Sequence, residues 1–147
     1  MRKEMIFTDE RVQRAAALLK ERGLLGRSLK NLEAAAQKLS KSDEEDVELW
    51  ELYGRICSHA RTVRTYIEHV DSAVDSLDSY YARLVRLAYY DGLTAGEICE
   101  RYGWSSINSY YYHRRLALLT LFTIWFGKEV AEGEKEEGAE GAYRRSS

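Results

Sequence analysis

The chain contains no proline, so no residue removes a backbone donor or forces a kink, and long helical runs are free to form. It has two cysteines and three histidines in 147 residues, spaced neither as a disulfide framework nor as a metal-ligand set. Cys57 and Cys99 therefore read as small buried residues, and no metal or cofactor is expected. Long apolar runs are missing as well. The longest, "LALLTLFTIWF" at 116–126, falls well short of the roughly 18 residues that a membrane span needs. With no charged-then-apolar leader at the start, the expectation is a soluble, cytoplasmic protein without membrane contact. Paired carboxylates in a cleft pattern, a nucleophile with a base at hand and a glycine-rich phosphate loop are also lacking, so enzyme chemistry is not expected.

What is present, 45% hydrophobic and 31% charged residues with a formal charge of −2, suits one compact domain or two small helical ones. The fold class expected is all-α. "TDERVQRAAALLKERG" opens on Thr8 as a cap and carries Val12, Ala15, Ala16 and Leu19 at helical spacing, predicting a first short helix that ends near Gly23. "LLG" is read as a break, and Leu29, Leu32, Ala36 and Leu39 then mark a second helix. Ser42 with Asp43, Glu44 and Glu45 reads as a capping box that opens a third, longer helix. Along it Leu49, Tyr53, Ile56, Ala60, Val63, Ile67, Val70, Val74 and Leu77 step by fours and threes, a heptad seam in search of a partner. The second helix, folded back antiparallel, covers part of it. The surplus seam packs on the rest of the chain or on a second copy, so an intramolecular bundle and a homodimer both stay open. Arg55, His59, Arg61 and Arg64 form its solvated flank.

The carboxy-terminal half is punctuated more sharply. Asp78 caps a helix with Tyr81, Leu84, Val85 and Ala88 inward, and Gly92 of "YYDGL" closes it in a left-handed turn. Thr94 with Glu97 makes a capping box for a helix of about two turns, Gly103 ends that helix, and Ser105 caps the next one. Cys99, four residues before Gly103, supplies the small side chain needed where two helices cross closely. These features together predict a helix-turn-helix.

This stretch resembles the final, promoter-reading region of bacterial sigma factors. Leu77, Arg83, Leu84, Leu87, Tyr90, Gly92, Leu93, Thr94, Glu97, Ile98, Gly103 and Ser105 stand in the places of that pattern. With the ending "SYYYHRR" and an amino-terminal helical arm, the chain is more similar to small phage-encoded regulators of the ArpU and RinA type than to a complete sigma factor. The match spans about residues 73–121, and nothing in the chain matches a sigma factor's core-polymerase-binding and melting regions. The resemblance implies a phage or prophage transcriptional regulator with a sigma-like domain that binds double-stranded DNA, not a sigma factor able to open a promoter. Ser109 departs from the branched aliphatic usual there, and serine, isoleucine and tyrosine replace the usual early basic residues.

The resulting layout is a helical arm (hairpin or coiled coil) over 1–72, a sigma-like helix-turn-helix domain over 73–128 and an acidic, disordered tail over 129–147. Counting from Ser105 places Ser109, Tyr112, Leu116 and Leu119 inward, with Tyr112 in the core. The expected DNA-binding residues are then Thr94, Ser105, Ser106, Ile107, Asn108, Tyr110, Tyr111, Arg114 and Arg115, with polar groups on bases or phosphates and rings near thymine methyls. Arg115 has an alternative partner in Glu97 or Glu100. Residues 106–128 hold Arg114, Arg115 and Lys128 with no acid, whereas 129–141 set six glutamates against Lys135. Three neutralised phosphates give a salt slope of roughly −2.7, which implies modest affinity and a role for dimerisation or RNA polymerase contact. The alternatives are a helical protein–protein adaptor and a small terminase-like DNA-packaging subunit, the latter expected to form rings.

Overall fold

The computed structural model describes residues 9–42 and 45–137, and every regular element among them is helical. In chain order these are α1 (Glu10–Leu39), α2 (Val47–Asp75), α3 (Ser79–Val85), a π-helical turn (Arg86–Tyr90), α4 (Ala95–Tyr102) and α5 (Ile107–Glu137). The all-α expectation holds. No described helix is long and apolar enough to cross a membrane, and no metal-ligating cluster occurs among the described residues.

The chain divides into two compact units, one of Leu18–Ser72 and one combining the described residues of 1–17 with those of 73–147. In the first, Arg22 grips Asp71 through two hydrogen bonds of 2.9 and 3.1 Å, and Arg64 meets Glu33 at 3.0 Å. As one partner number rises the other falls, so α1 and α2 run antiparallel, as their short connection favours. The heptad seam is visible in burial. Ala60, Val63, Ile67, Val70, Val74 and Leu77 are buried, while Leu49, Tyr53 and Ile56 are half-buried. Arg55, His59, Arg61 and Arg64 are exposed, as a solvated flank should be.

Two expectations for this region need correction. The break at "LLG" does not occur, because α1 runs unbroken through Gly23 and Gly26, neither of which takes a positive φ. A helical glycine costs about 1 kcal/mol, too little to end a long helix that has no proline and no competing cap. The cap of α2 is Asp46 rather than Ser42, since its Oδ1 accepts the Leu49 N–H at 3.2 Å. Asp43 and Glu44 lie outside the described residues, as does the Thr8 cap. Asp9 stands ahead of α1 and accepts the Arg11 N–H at 2.9 Å.

In the second unit α3 and α4 pack on α5. Asp78 caps α3 as expected, accepting from the N–H groups of Tyr80 (2.7 Å) and Tyr81 (3.2 Å). The buried side of α3 and its π turn is Ala82, Leu84, Val85 and Leu87, with Tyr81 and Ala88 only half-buried. Gly92 closes the turn at φ 69°, with the Leu93 N–H reaching back to the Leu87 carbonyl at 2.9 Å. In the apolar stretch Ala117, Leu118 and Leu121 are fully buried. The Arg14 guanidinium from the first turns of α1 lies 4.2 Å from the Phe126 ring centroid. Thr120 and Thr123 satisfy their hydroxyls on the carbonyls four residues back, at 2.8 and 3.0 Å. α5 continues to Glu137, into the stretch read as a disordered tail, because its glutamates, lysines and alanine are strong helix formers. Residues 138–147 lie outside the described region.

Candidate nucleic-acid interface

The helix-turn-helix is assembled by caps. The Thr94 hydroxyl accepts the Glu97 N–H at 3.2 Å while the Glu97 carboxylate accepts the Thr94 N–H at 2.9 Å, closing the capping box. That second bond, followed by the Thr94 hydroxyl, holds the Glu97 carboxyl below its ordinary range. Gly103 sits at φ 73°, and the Trp104 N–H reaches the Cys99 carbonyl at 2.9 Å, which completes a left-handed stop for α4. Cys99 is buried at the crossing, its thiol 3.8 Å from the Ser106 carbonyl, and Ile98 is fully buried beside it.

The start of α5 lies one residue further on than expected. Ser106, not Ser105, is the cap, and its Oγ accepts the Asn108 N–H at 3.1 Å. The inward face differs too. Tyr112 is 53% exposed and is not core, whereas Tyr110 is 6% exposed and Leu118 and Leu121 are fully buried. The buried run is Tyr110, Ala117, Leu118 and Leu121, with Arg114 between them in phase. This repeat of seven, eight and eleven residues is what a helix requires, counted back from the apolar end instead of forward from the cap.

The shift changes what the expected contact residues do. Arg114 donates to the Tyr89 hydroxyl through Nε at 3.1 Å and Nη2 at 2.7 Å, and its guanidinium lies over the Tyr89 ring at 5.5 Å. Burial pushes the Tyr89 hydroxyl up, against the opposing pull of Arg114. Burial likewise raises Tyr110. Arg115 pairs with Asp9 at 3.4 Å rather than with Glu97 or Glu100. Tyr111 is half-buried, edge-on to Tyr110 at 5.1 Å between centroids. Thr94 is exposed, but its hydroxyl and N–H serve the capping box. Ser105, Ser106, Ile107 and Asn108 are exposed as expected, and with Tyr112 they make the open face of the first turns.

Sequence reasoning missed Tyr112 as a surface residue and an aromatic stack beside it. Tyr102, Trp104 and His113 stack face to face, with centroids 4.5 and 4.7 Å apart and planes 16° and 11° from parallel. Tyr80 abuts the Tyr102 ring edge-on at 4.9 Å. His113 is fixed by an Nδ1 contact of 2.7 Å to the backbone carbonyl of Ser109, one turn back. The spacing of Tyr102, Trp104 and His113 carries no helical period, and only the turn at Gly103 brings them together.

No family model, no curated protein and no solved structure matches the chain.

Proposed function

We propose that the segment 73–128 binds double-stranded DNA, reading the major groove with the first turns of α5, and that the protein is a sequence-specific transcriptional regulator of phage or prophage genes acting in the cytoplasm. One observation carries the reading: two capped helices cross at Cys99 around a left-handed Gly103 and leave Ile107, Asn108 and Tyr112 open at the amino-terminal end of the second. That is the end a helix-turn-helix presents to base edges. Asn108 suits an adenine edge, Tyr112 a phosphate or a thymine methyl. Homodimerisation or RNA polymerase contact supplies further affinity, and the half-buried seam residues Leu49, Tyr53 and Ile56 offer a surface for either.

A second reading, a protein-binding adaptor, draws support from a specific feature. Arg114 and Arg115 are both engaged within the protein, and Ile107 (49% exposed) and Tyr112 give the open face an apolar character. Selection from random duplexes followed by fluorescence anisotropy separates the two. The DNA-binding reading expects a defined motif, at least a tenfold affinity loss for Asn108→Ala and Tyr112→Ala, and unchanged thermal midpoints for both. Arg114→Ala instead lowers the midpoint, by about 1–3 kcal/mol of stability. Failure of any duplex to be selected would leave the adaptor reading in possession.

A further inference from the structure

Beside the turn lies an open cleft of about 470 Å³ lined by Ser79, Tyr80, Arg83, Arg101 and Tyr102. We propose that this cleft is a phosphate seat that takes the DNA backbone next to the groove read by α5; the assignment rests on the DNA-binding reading above.

Charge is the first support. Arg11, Arg22, Arg64, Arg86 and Arg115 each pair with a carboxylate, and Arg114 binds Tyr89. Arg83 and Arg101 are exposed and form no ion pair among the described residues. Of the carboxylates nearby, Asp78 accepts from the N–H groups of Tyr80 and Tyr81 and Glu97 from that of Thr94, and the Arg101 charge acts on Glu97 without forming an ion pair. Two exposed guanidiniums without an ion pair on one concave surface match a phosphate, which accepts the planar donor fork in a bidentate way.

Rigidity is the second support. The Arg83 guanidinium lies 5.0 Å from the Tyr102 ring centroid. Tyr102 is held by its hydroxyl, which donates to the Tyr80 carbonyl at 2.8 Å, and by its stack on Trp104. Trp104 in turn stacks on His113 of α5, the residue after the open Tyr112. The wall of the cleft and Tyr112, edge-on to His113 at 5.2 Å, thus adjoin the two ends of one aromatic stack, and on this proposal a duplex seated on Tyr112 runs its backbone along Arg83 and Arg101. This also answers the engagement of Arg114 and Arg115 within the protein, because the phosphate contacts come from α3 and α4.

The test follows duplex anisotropy against salt for the wild type, Arg83→Gln, Arg101→Gln, the double variant and Arg83→Lys, using the selected duplex. Each arginine removed should make the slope of log affinity against log salt shallower by about 0.9, uniformly across sequences. Arg83→Lys should keep most of the slope, which a merely structural role for Arg83 over Tyr102 would not require. Arg101→Gln, at an exposed site, reports even if Arg83→Gln loosens the ring. Wild-type slopes in the double variant, with the duplex still bound, would overturn the seat and leave the DNA-binding reading standing. If the wild type binds no duplex, both fall. Calorimetric binding of inorganic phosphate, or of an acidic peptide, that the double variant loses while its duplex slope is unchanged would reassign the cleft and overturn the proposal.

Discussion

The hairpin of 18–72 and the helix-turn-helix unit use the same amino acids to different ends. In the hairpin, arginines meet carboxylates on the outside: Arg64 and Glu33 are each about half exposed, and Arg22 and Asp71 only partly covered. Such pairs contribute about 0–1 kcal/mol and chiefly fix register. In the helix-turn-helix unit arginines also meet carboxylates, Arg11 and Arg115 at Asp9 and Arg86 at Asp75, but further cations lie on rings: Arg114 on Tyr89, Arg83 on Tyr102 and Arg14 on Phe126. There the guanidinium also covers apolar surface, so its removal exposes a ring or strands a hydroxyl. A long repetitive seam tolerates local change because every turn resembles its neighbour. A unit of short elements depends on single caps, single glycines and a small core.

The largest expected difference lies in that core. Leu118→Ala and Leu121→Ala remove fully buried side chains and should each cost about 2–5 kcal/mol, with the cavity determining the value. Leu32→Ala, at a half-buried position of the hairpin, should cost less than half as much. Urea unfolding measures both. Equal losses would mean that the hairpin seam is as tightly packed as the core of the helix-turn-helix, and the comparison would fail.

This contrast also governs how far the sequence could be read. Features written in one residue and its immediate neighbours were legible: the Asp78 cap, the Thr94–Glu97 box, the left-handed Gly92 and Gly103, and Cys99 at the crossing. The heptad seam was legible because nine positions repeat one rule. The phase of α5 was not. Its apolar residues from Leu116 onward occupy nearly every face, so periodicity alone selects no side, and the adjacent Ser105 and Ser106 offer caps one residue apart, a difference that moves Tyr112 between core and surface. Burial is decided by the partner, here Tyr89 reaching Arg114 from 25 positions away. The aromatic stack was illegible for the same reason, since Tyr102 and His113 belong to different helices. The continuity of α1 is not legible in its glycines, because Gly23 and Gly26 sit in helical backbone where the chain needs no left-handed residue.

A sharper form of the comparison uses one substitution in both regions. Gly103→Ala should destabilise the protein by about 1–2 kcal/mol, the cost of a left-handed backbone for an L side chain. The added methyl meets nothing within 4 Å, so the cost is conformational and not steric. A loss of cooperativity confined to the helix-turn-helix amides in hydrogen exchange would locate it.

Gly23→Ala and Gly26→Ala should have the opposite sign. At both positions a methyl also meets nothing within 4 Å, but the backbone is helical, so the substitution reduces the freedom of the unfolded chain and favours the helix by up to about 1 kcal/mol each. Identical chemistry in equally open space then stabilises at one site and destabilises at the other, with φ as the only difference. The thermal midpoint of the double variant decides it. If that midpoint falls instead of rising, the glycines of α1 are needed for a bend or a close approach, and the unbroken helix through "RGLLGR" would be the wrong description of the arm.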